Sequence, residues 1–184
     1  MGLQHIDEVQ RDSMLSSPPH GSTAFPPGTW ILDPNTTRLT ISTRVFRVHP
    51  LEITLRLRDG VVEVNERGGM ERLHLSFVAK SLTSGRAFRD RHLRGPKFFD
   101  AETFPLVDFH GSATGPNIDC VMILKGRSGP LSCTATEASL LDDGRVVLSN
   151  HGYINRRAIG LDTASWWGIG RHLNIALSAT ASRA

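Results

Sequence analysis

Apolar and polar residues alternate along most of this chain with a period of two. In residues 39–45 and 51–58, the odd-numbered positions are apolar or branched and the even-numbered positions are polar. Residues 73–79 follow the same pattern except at Val78, and residues 173–180 repeat it with small or polar residues at the even positions. A period of two places every second side chain on one face. Each segment is therefore predicted to be a β-strand with one buried face.

Shorter segments add further strands and the turns between them. The additional predicted strands are residues 106–110, 121–125, 131–136 and 146–148. Asp59-Gly60 is predicted to form a tight hairpin turn, because this pair favours left-handed backbone positions, with the return strand beginning at Val62. Gly68-Gly69 predicts the next turn.

The alternation stops between residues 81 and 104. Polar residues, Gly and Pro dominate this segment, which predicts a long crossover with one or two helical turns. About eight short strands with almost no amphipathic helix predict an antiparallel all-β fold, either a sandwich or a closed barrel. An eight-stranded barrel is just wide enough to be filled by side chains or to hold one slender ligand.

Composition predicts a single domain preceded by a leader. Residues 1–28 are rich in Ser, Pro, Gly and His and have too few large apolar side chains to offset the entropy of ordering. They are predicted to form a flexible leader. The chain of 184 residues is 39% hydrophobic, which suits one globular domain. Residues 29–184 are predicted to form that domain.

Charge, targeting signals and cysteines narrow the functional classes. The 21 Lys and Arg residues are interspersed with 18 acidic residues, which predicts a mixed solvated surface. No run of 18 apolar residues is present to span a membrane, and the N-terminus lacks the pattern of a secretory signal. The default expectation is a cytoplasmic protein. Cys120 and Cys133 lack CxxC spacing and are expected to be reduced, buried, small apolar residues.

Three groups of residues carry a family resemblance. The first is Trp30, Ile31, Leu32 and Asp33, followed by residues 35–41. The second and most specific group is Ser81, Leu82, Thr83, Ser84, Gly85, Arg89, Asp90, His92, Leu93, Arg94, Phe98, Phe99, Asp100, Phe104, Pro105, Phe109 and Ser112. The third is Leu124, Lys125, Gly126, Pro130, Leu131, Asn155, Arg156, Arg157, Gly160 and Leu161. Over about residues 29–180, this pattern resembles the YceI-like family.

The resemblance implies an eight-stranded antiparallel, lipocalin-like barrel with a short helical crossover. It also implies that a long internal cavity binds polyisoprenoid lipids. In the crossover, Arg89 and Asp90 are expected to pair or to cap backbone groups and so hold this segment over one barrel end.

No catalytic, metal-binding or nucleic-acid-binding motif is recognisable. Asp90 and His92 are close in sequence, but adjacent residues rarely face each other correctly and no nucleophile motif accompanies them. The eight histidines form neither HxxxH nor HExxH, so no metal is expected. Phe77, Phe98, Phe99, Phe104 and Phe109 occupy predicted inward positions or the apolar part of the crossover, which argues against nucleic acid.

The apolar interior is therefore the candidate site. A ligand that buries roughly 300 Å² of apolar surface gains on the order of 7 kcal/mol before ordering costs. The predicted ligand-binding residues are Leu39, Ile41, Leu55, Leu75, Phe77, Phe98, Phe99, Phe109, Met122, Leu124, Ile175 and Leu177. Within this set, Phe98 and Phe99 are expected to line or gate the mouth.

The leading hypothesis is non-enzymatic binding, sequestration or transport of a long apolar lipid, such as a polyisoprenoid or an isoprenoid quinone. No cofactor is expected beyond the bound lipid, no nucleic acid is expected as partner, and a homodimer is left open. In the alternative, side chains fill the barrel and the protein is an interaction module that uses Trp166, Trp167, Arg156 and Arg157 as a contact patch. A third, enzymatic hypothesis requires a polar pocket around His92.

Overall fold

A computed structural model of the chain describes residues 26–114, 117–133, 137–162 and 168–184. Most of the predicted leader, and both Trp166 and Trp167, lie outside the described residues. The strands are β1 (Gly28–Leu32), β2 (Arg38–Val45), β3 (His49–Val64), β4 (Met70–Val78), β5 (Leu106–Thr114), β6 (Asn117–Leu124), β7 (Arg127–Cys133), β8 (Glu137–Leu140), β9 (Val146–Asn155) and β10 (His172–Arg183). Between β4 and β5 lie a single 3₁₀ turn (Ala79–Ser81) and the helix α1 (Ala87–Arg94).

The strands form one antiparallel sheet that closes on itself. Strands β2 to β7 pair in sequence, β7 pairs with β9, β9 pairs with β10, and β10 pairs with β2. The short β1 continues the line of β2 between β3 and β10, and the short β8 continues the line of β7 beside β9. Ten strands therefore occupy eight positions around the barrel, and the predicted eight-stranded antiparallel barrel is confirmed.

The tight turn predicted at Asp59-Gly60 is wrong. Strand β3 continues through both residues, and the chain reverses only at residues 65–69. The pairing register with β4 shifts between Leu57 and Asp59, so a β-bulge at Arg58 bends and twists the strand without ending it, and Asp59 and Gly60 pair with Ser76 and Leu75. A Cβ atom on Gly60 would lie 2.9 Å from the Leu75 side chain. Glycine at this position therefore permits close packing inside the barrel.

The connections define two ends of the barrel. The turn end comprises the β3–β4 turn (residues 65–69) and the β8–β9 turn (residues 141–145). The helix end comprises residues 44–49, 79–105, 125–127, 155–162 and 168–172. The crossover belongs to the helix end, as its position between β4 and β5 requires.

The crossover is fastened to the barrel wall by the segment that carries the family resemblance. The Ser81 hydroxyl accepts a hydrogen bond from the Arg56 N–H at 2.8 Å and donates one to the Val78 carbonyl at 2.6 Å. The backbones of Thr83 and Thr54 exchange two hydrogen bonds at 2.9 and 3.0 Å. These contacts hold the start of the crossover against β3.

Asp90 joins helix α1 to that segment. Its buried carboxylate accepts hydrogen bonds from the Thr83 hydroxyl at 3.0 Å, from the Ser84 N–H at 2.7 Å, and from the Ser84 hydroxyl. Burial acts to raise the pKa of Asp90, but the hydrogen bonds from Ser84 and Thr83 outweigh it and the pKa is lowered. Arg89 Nε donates to the same Ser84 hydroxyl at 2.8 Å. The expectation that Arg89 and Asp90 hold the crossover is confirmed, with Ser84 linking the two side chains.

We predict that Asp90→Asn destabilises the fold by roughly 2 kcal/mol at neutral pH, because charge-assisted hydrogen bonds are lost and an amide donor faces other donors. The folded-state pKa is lowered, so this stability is fully present above the unfolded pKa, about 4, and is lost as pH falls through the folded value. Urea unfolding at pH 7, 5 and 3 should therefore give equal differences between the parent and variant at the first two values and a smaller one at the third.

Asp142→Asn is the matched control, because Asp142 is exposed in the β8–β9 turn. We expect it to change stability by less than about 0.5 kcal/mol. A difference for Asp90→Asn that is independent of pH would contradict the assignment.

Candidate functional site

The barrel interior contains an apolar cavity of about 80 Å³ toward the turn end. All eight positions of the wall supply inward-facing side chains, from β2 to β7, β9 and β10, and β1 adds one more. The lining residues are Leu32, Leu39, Val62, Met70, Leu73, Leu75, Phe77, Phe109, Ile118, Cys120, Leu131, Cys133, Leu148, Asn150, Ile175 and Leu177. Asn150 alone contributes an amide to this lining.

The structure brings half of the predicted ligand-binding residues together in this larger cavity. They are Leu39, Leu75, Phe77, Phe109, Ile175 and Leu177. Leu55, Met122 and Leu124 are buried in the barrel but line neither this cavity nor the one described below. Alternation predicted their burial and could not predict at which height in the barrel the packing leaves space.

Sequence reasoning missed ten lining residues. They are Leu32, Val62, Met70, Leu73, Ile118, Cys120, Leu131, Cys133, Leu148 and Asn150. Val62 and Leu131 carry the same signal as the predicted residues, since each is an apolar inward position of an alternating strand. Asn150 carries no such signal, because a polar residue at an inward position is recognised only from the closed sheet.

A second apolar cavity, of about 30 Å³, lies at the helix end. Its lining includes the predicted residues Ile41, Phe98 and Phe99 together with Thr43, Leu51, Ile53, Leu93, Arg156, Leu161, Ile169 and Leu173. Phe98 and Phe99 are each only 3% exposed, because the crossover folds inward beneath α1. The structure thus places them at the opposite end from the larger cavity, where they close the barrel instead of lining the mouth of that cavity.

Arg156 borders the second cavity and is 3% exposed. Its guanidinium donates hydrogen bonds to the Gly170 carbonyl at 3.0 Å and to the Leu161 carbonyl at 2.6 Å. Burial and the neighbouring Arg157 lower the pKa of Arg156. The expectation that Arg156 belongs to an exposed contact patch is wrong, because the side chain is buried and hydrogen-bonded within the β9–β10 connection.

Cys120 and Cys133 face the larger cavity from β6 and β7, and both are free thiols. Cys120 is buried, as expected, whereas Cys133 is half-buried. The hydrogen bond with Cys133 and burial both raise the pKa of the Cys120 thiol. The cavity wall therefore carries one half-buried thiol and one buried thiol.

Other groups with catalytic or ligating chemistry do not gather in either cavity. The His92 ring packs against Phe98, with ring centroids 5.1 Å apart, beside the apolar second cavity. Across the described ranges, no three His, Cys, Asp or Glu side chains are arranged to hold a metal ion. The part of the chain that the structure covers also contains no helix long and apolar enough to cross a bilayer.

Comparison with known proteins identifies similar folds. The family profile described as "YceI-like domain" matches residues 30–181. No curated protein sequence shows significant similarity to the chain. Several solved structures are similar over most of the barrel, among them the following three.

The first is BcnA of Burkholderia cenocepacia, with 17% identity, 82% of this chain and 99% of that chain covered, and a TM-score of 0.61. The second is a polyisoprenoid binding domain from Saccharophagus degradans implicated in plant cell wall breakdown. It has 13% identity and a TM-score of 0.64, and the match covers 84% of this chain and 98% of that chain. The third is a mutant Campylobacter jejuni YCEI protein. It has 17% identity and a TM-score of 0.54, and the match covers 68% of this chain and 80% of that chain. At these identities, the structures show a shared fold.

The two cavity thiols give a direct test of the wall. We predict that iodoacetamide modifies Cys133 at least about tenfold faster than Cys120, since the thiolate is the nucleophile and the Cys120 thiol has a raised pKa. Peptide mass spectrometry of the native protein measures both rates. In Cys133→Ser, Cys120 should stay slow because its burial persists, and in urea both should react alike. Equal rates in the native protein would show that the Cys120 thiol is not shielded from the reagent.

Proposed function

The chain belongs to the YceI-like family, and on this premise we propose that it binds the apolar tail of a lipid in the larger cavity. The observation that carries the proposal is a space in the barrel that the protein's own side chains leave unfilled, walled almost entirely by hydrocarbon and thiol groups. Such a wall offers burial to an apolar chain and almost no hydrogen-bond partner to a polar one.

The energy of the cavity favours a ligand. An apolar cavity of about 80 Å³ costs the fold roughly 2 kcal/mol at about 24 cal/mol per Å³. Water gains little there, because buried waters require two to four polar partners and Asn150 is the only amide in the lining. A hydrocarbon chain recovers the lost contacts, so apolar ligands should bind without any charged anchor.

The size of the cavity limits how a long lipid is held. A cavity of about 150 Å³ is occupied by a molecule the size of benzene, so about 80 Å³ takes only the end of a tail. The half-buried Leu73, Ile118 and Leu177 continue the apolar lining toward the surface. We propose that the terminal segment enters the cavity and that the rest of the tail follows these residues.

The choice of ligand follows from the family. The Saccharophagus degradans neighbour is described as a polyisoprenoid binding domain. On this support we propose a polyprenyl or isoprenoid-quinone tail as the ligand, and sequestration or transport without catalysis as the role. The cytoplasmic location, the absence of a cofactor and the homodimer stay predictions from sequence. The interaction-module alternative is weakened, because Arg156 is buried and no longer available to a patch.

We predict that Leu75→Trp lowers affinity for an apolar probe by at least about tenfold, because the larger ring enters the cavity and removes the burial that drives binding. The measurement is fluorescence of N-phenyl-1-naphthylamine, with displacement by geranylgeraniol and by hexadecanol to separate an isoprenoid from a straight chain. Leu177→Trp is a second variant, since Leu177 is half-buried and tolerates added volume more easily.

Ile41→Phe is the matched control, because Ile41 lines only the second cavity. We expect it to leave probe binding within about twofold of the parent protein. Met122→Trp should instead destabilise the barrel by about 1–3 kcal/mol, because Met122 is fully buried away from both cavities. Unchanged probe affinity in both Leu75→Trp and Leu177→Trp, with thermal unfolding intact, would remove the larger cavity as the site.

A further inference from the structure

We infer that the helix end is a docking surface for an anionic lipid bilayer, which it contacts through Phe46, Val48 and Phe88 and the arginines around them. This inference is independent of lipid binding in the larger cavity, which lies toward the turn end. It rests on the difference in charge between the helix end and the rest of the described chain, and on apolar side chains that are exposed to solvent.

Charge is strongly divided along the barrel. Among the described residues, the segments of the helix end carry thirteen Arg and Lys residues and four Asp and Glu residues. The rest of the described chain carries seven Arg and Lys residues and eleven Asp and Glu residues. The net charges are therefore +9 and −4, although the whole chain is only +3. A field of this kind turns the helix end toward an anionic surface.

The β2–β3 turn carries the first apolar contact. Phe46 is 66% exposed and Val48 is 70% exposed, with Arg44 and Arg47 exposed beside them. No acidic residue occurs between residues 34 and 51. Large apolar side chains alternating with arginines are typical of segments that insert into the headgroup region, where the rings sink and the guanidinium groups meet phosphates.

This turn is held in place. Phe46 and Arg47 have φ angles of 50° and 64°, in the left-handed region that costs a non-glycine residue roughly 1 kcal/mol. The Phe46 N–H donates to the Gly168 carbonyl at 2.8 Å, and the Gly170 N–H donates to the Arg44 carbonyl at 3.2 Å. The Phe46 ring lies directly against Gly168. These contacts therefore hold Phe46 in an exposed position, although the backbone there is strained and an exposed apolar ring is unfavourable in water.

Helix α1 carries the second contact at the same end. Asp90 and Leu93 face inward, which leaves Phe88 and Arg91 on the opposite face of the helix. Phe88 is 85% exposed. The hydrogen bonds of Asp90 to Thr83 and Ser84 fix this orientation. The helix and the turn thus present the same combination, an exposed aromatic ring beside an exposed arginine.

A bilayer fits these features better than a soluble polyanion does. Nucleic acid would use the positive charge, but it gains little from burying Val48, and its recognition by barrel folds relies on aromatic residues that stack bases on a sheet face. Anionic lipid uses both features, since each basic residue near the surface contributes to binding and each apolar side chain adds burial in the interface.

The test is co-sedimentation of the full chain with vesicles of phosphatidylcholine alone or mixed with phosphatidylglycerol, at low and at high salt. We expect binding only to the mixed vesicles, and weaker binding at high salt. Arg47→Ala should weaken it about fivefold, in line with the usual contribution of one basic residue at a membrane surface. Phe46→Ser and Val48→Ser should each weaken it by about tenfold or less, because the rings and methyls are only partly buried in the interface.

Turn-end variants are the matched controls. Leu140→Ser and Arg145→Ala replace exposed residues of the same types at or beside the β8–β9 turn and should change binding by less than about twofold. Circular-dichroism melting checks that each variant folds. If Phe46→Ser does not fold, Val48→Ser alone tests the apolar contribution of the turn. The inference is overturned by no binding to the mixed vesicles, by equal losses at the two ends, or by binding that depends on Arg47 but not on Phe46 or Val48. The last outcome, with equal binding to single-stranded DNA, would identify a general polyanion surface.

Discussion

The pairing of β10 with β2 on one side and with β9 on the other is the contact on which the rest of this structure depends. Without it, the sheet would be an open surface with two free edges and a single apolar face that water could reach. Closure turns the alternation of each strand into an inside and an outside. It also separates the ends of the strands into two rims. The cavities, the locked crossover and the charged end are all consequences of where these rims fall.

The interior of the barrel is filled differently at its two ends. At the helix end, the crossover folds inward, so that Phe98 and Phe99 fill the space while Asp90 and Arg156 satisfy backbone groups around them. Toward the turn end no such segment folds in, and the inward side chains leave the larger cavity. The segment most specific to the family is therefore, in this chain, chiefly a fastening. The larger cavity is left at the other end, and the outer surface of the crossover stays exposed at Phe88 and Arg91.

Alternation in the sequence correctly predicted the buried face of β2, β3 and β10 and of most of β4, because burial of one face follows a period of two. It failed where neighbours across the sheet decide the outcome. Asp59-Gly60 has the composition of a turn but lies inside β3, directly after a bulge, where Gly60 packs closely against Leu75. Arg156 resembles a surface cation, yet the β9–β10 connection buries it among carbonyl groups. Each failure reflects a contact between residues far apart in the chain.

The sequence by itself determined the all-β class, the inward and outward positions of the strands and the family, because these depend on local periodicity and on residues at fixed spacing. Only the tertiary structure decided at which height the interior stays unfilled, which thiol is shielded, and that positive charge gathers at the helix end. These properties depend on closure, which brings separate strands to one level and gathers separate connections at one rim. Basic residues from five separate segments of the chain become one positively charged end only when the connections fold to the same side.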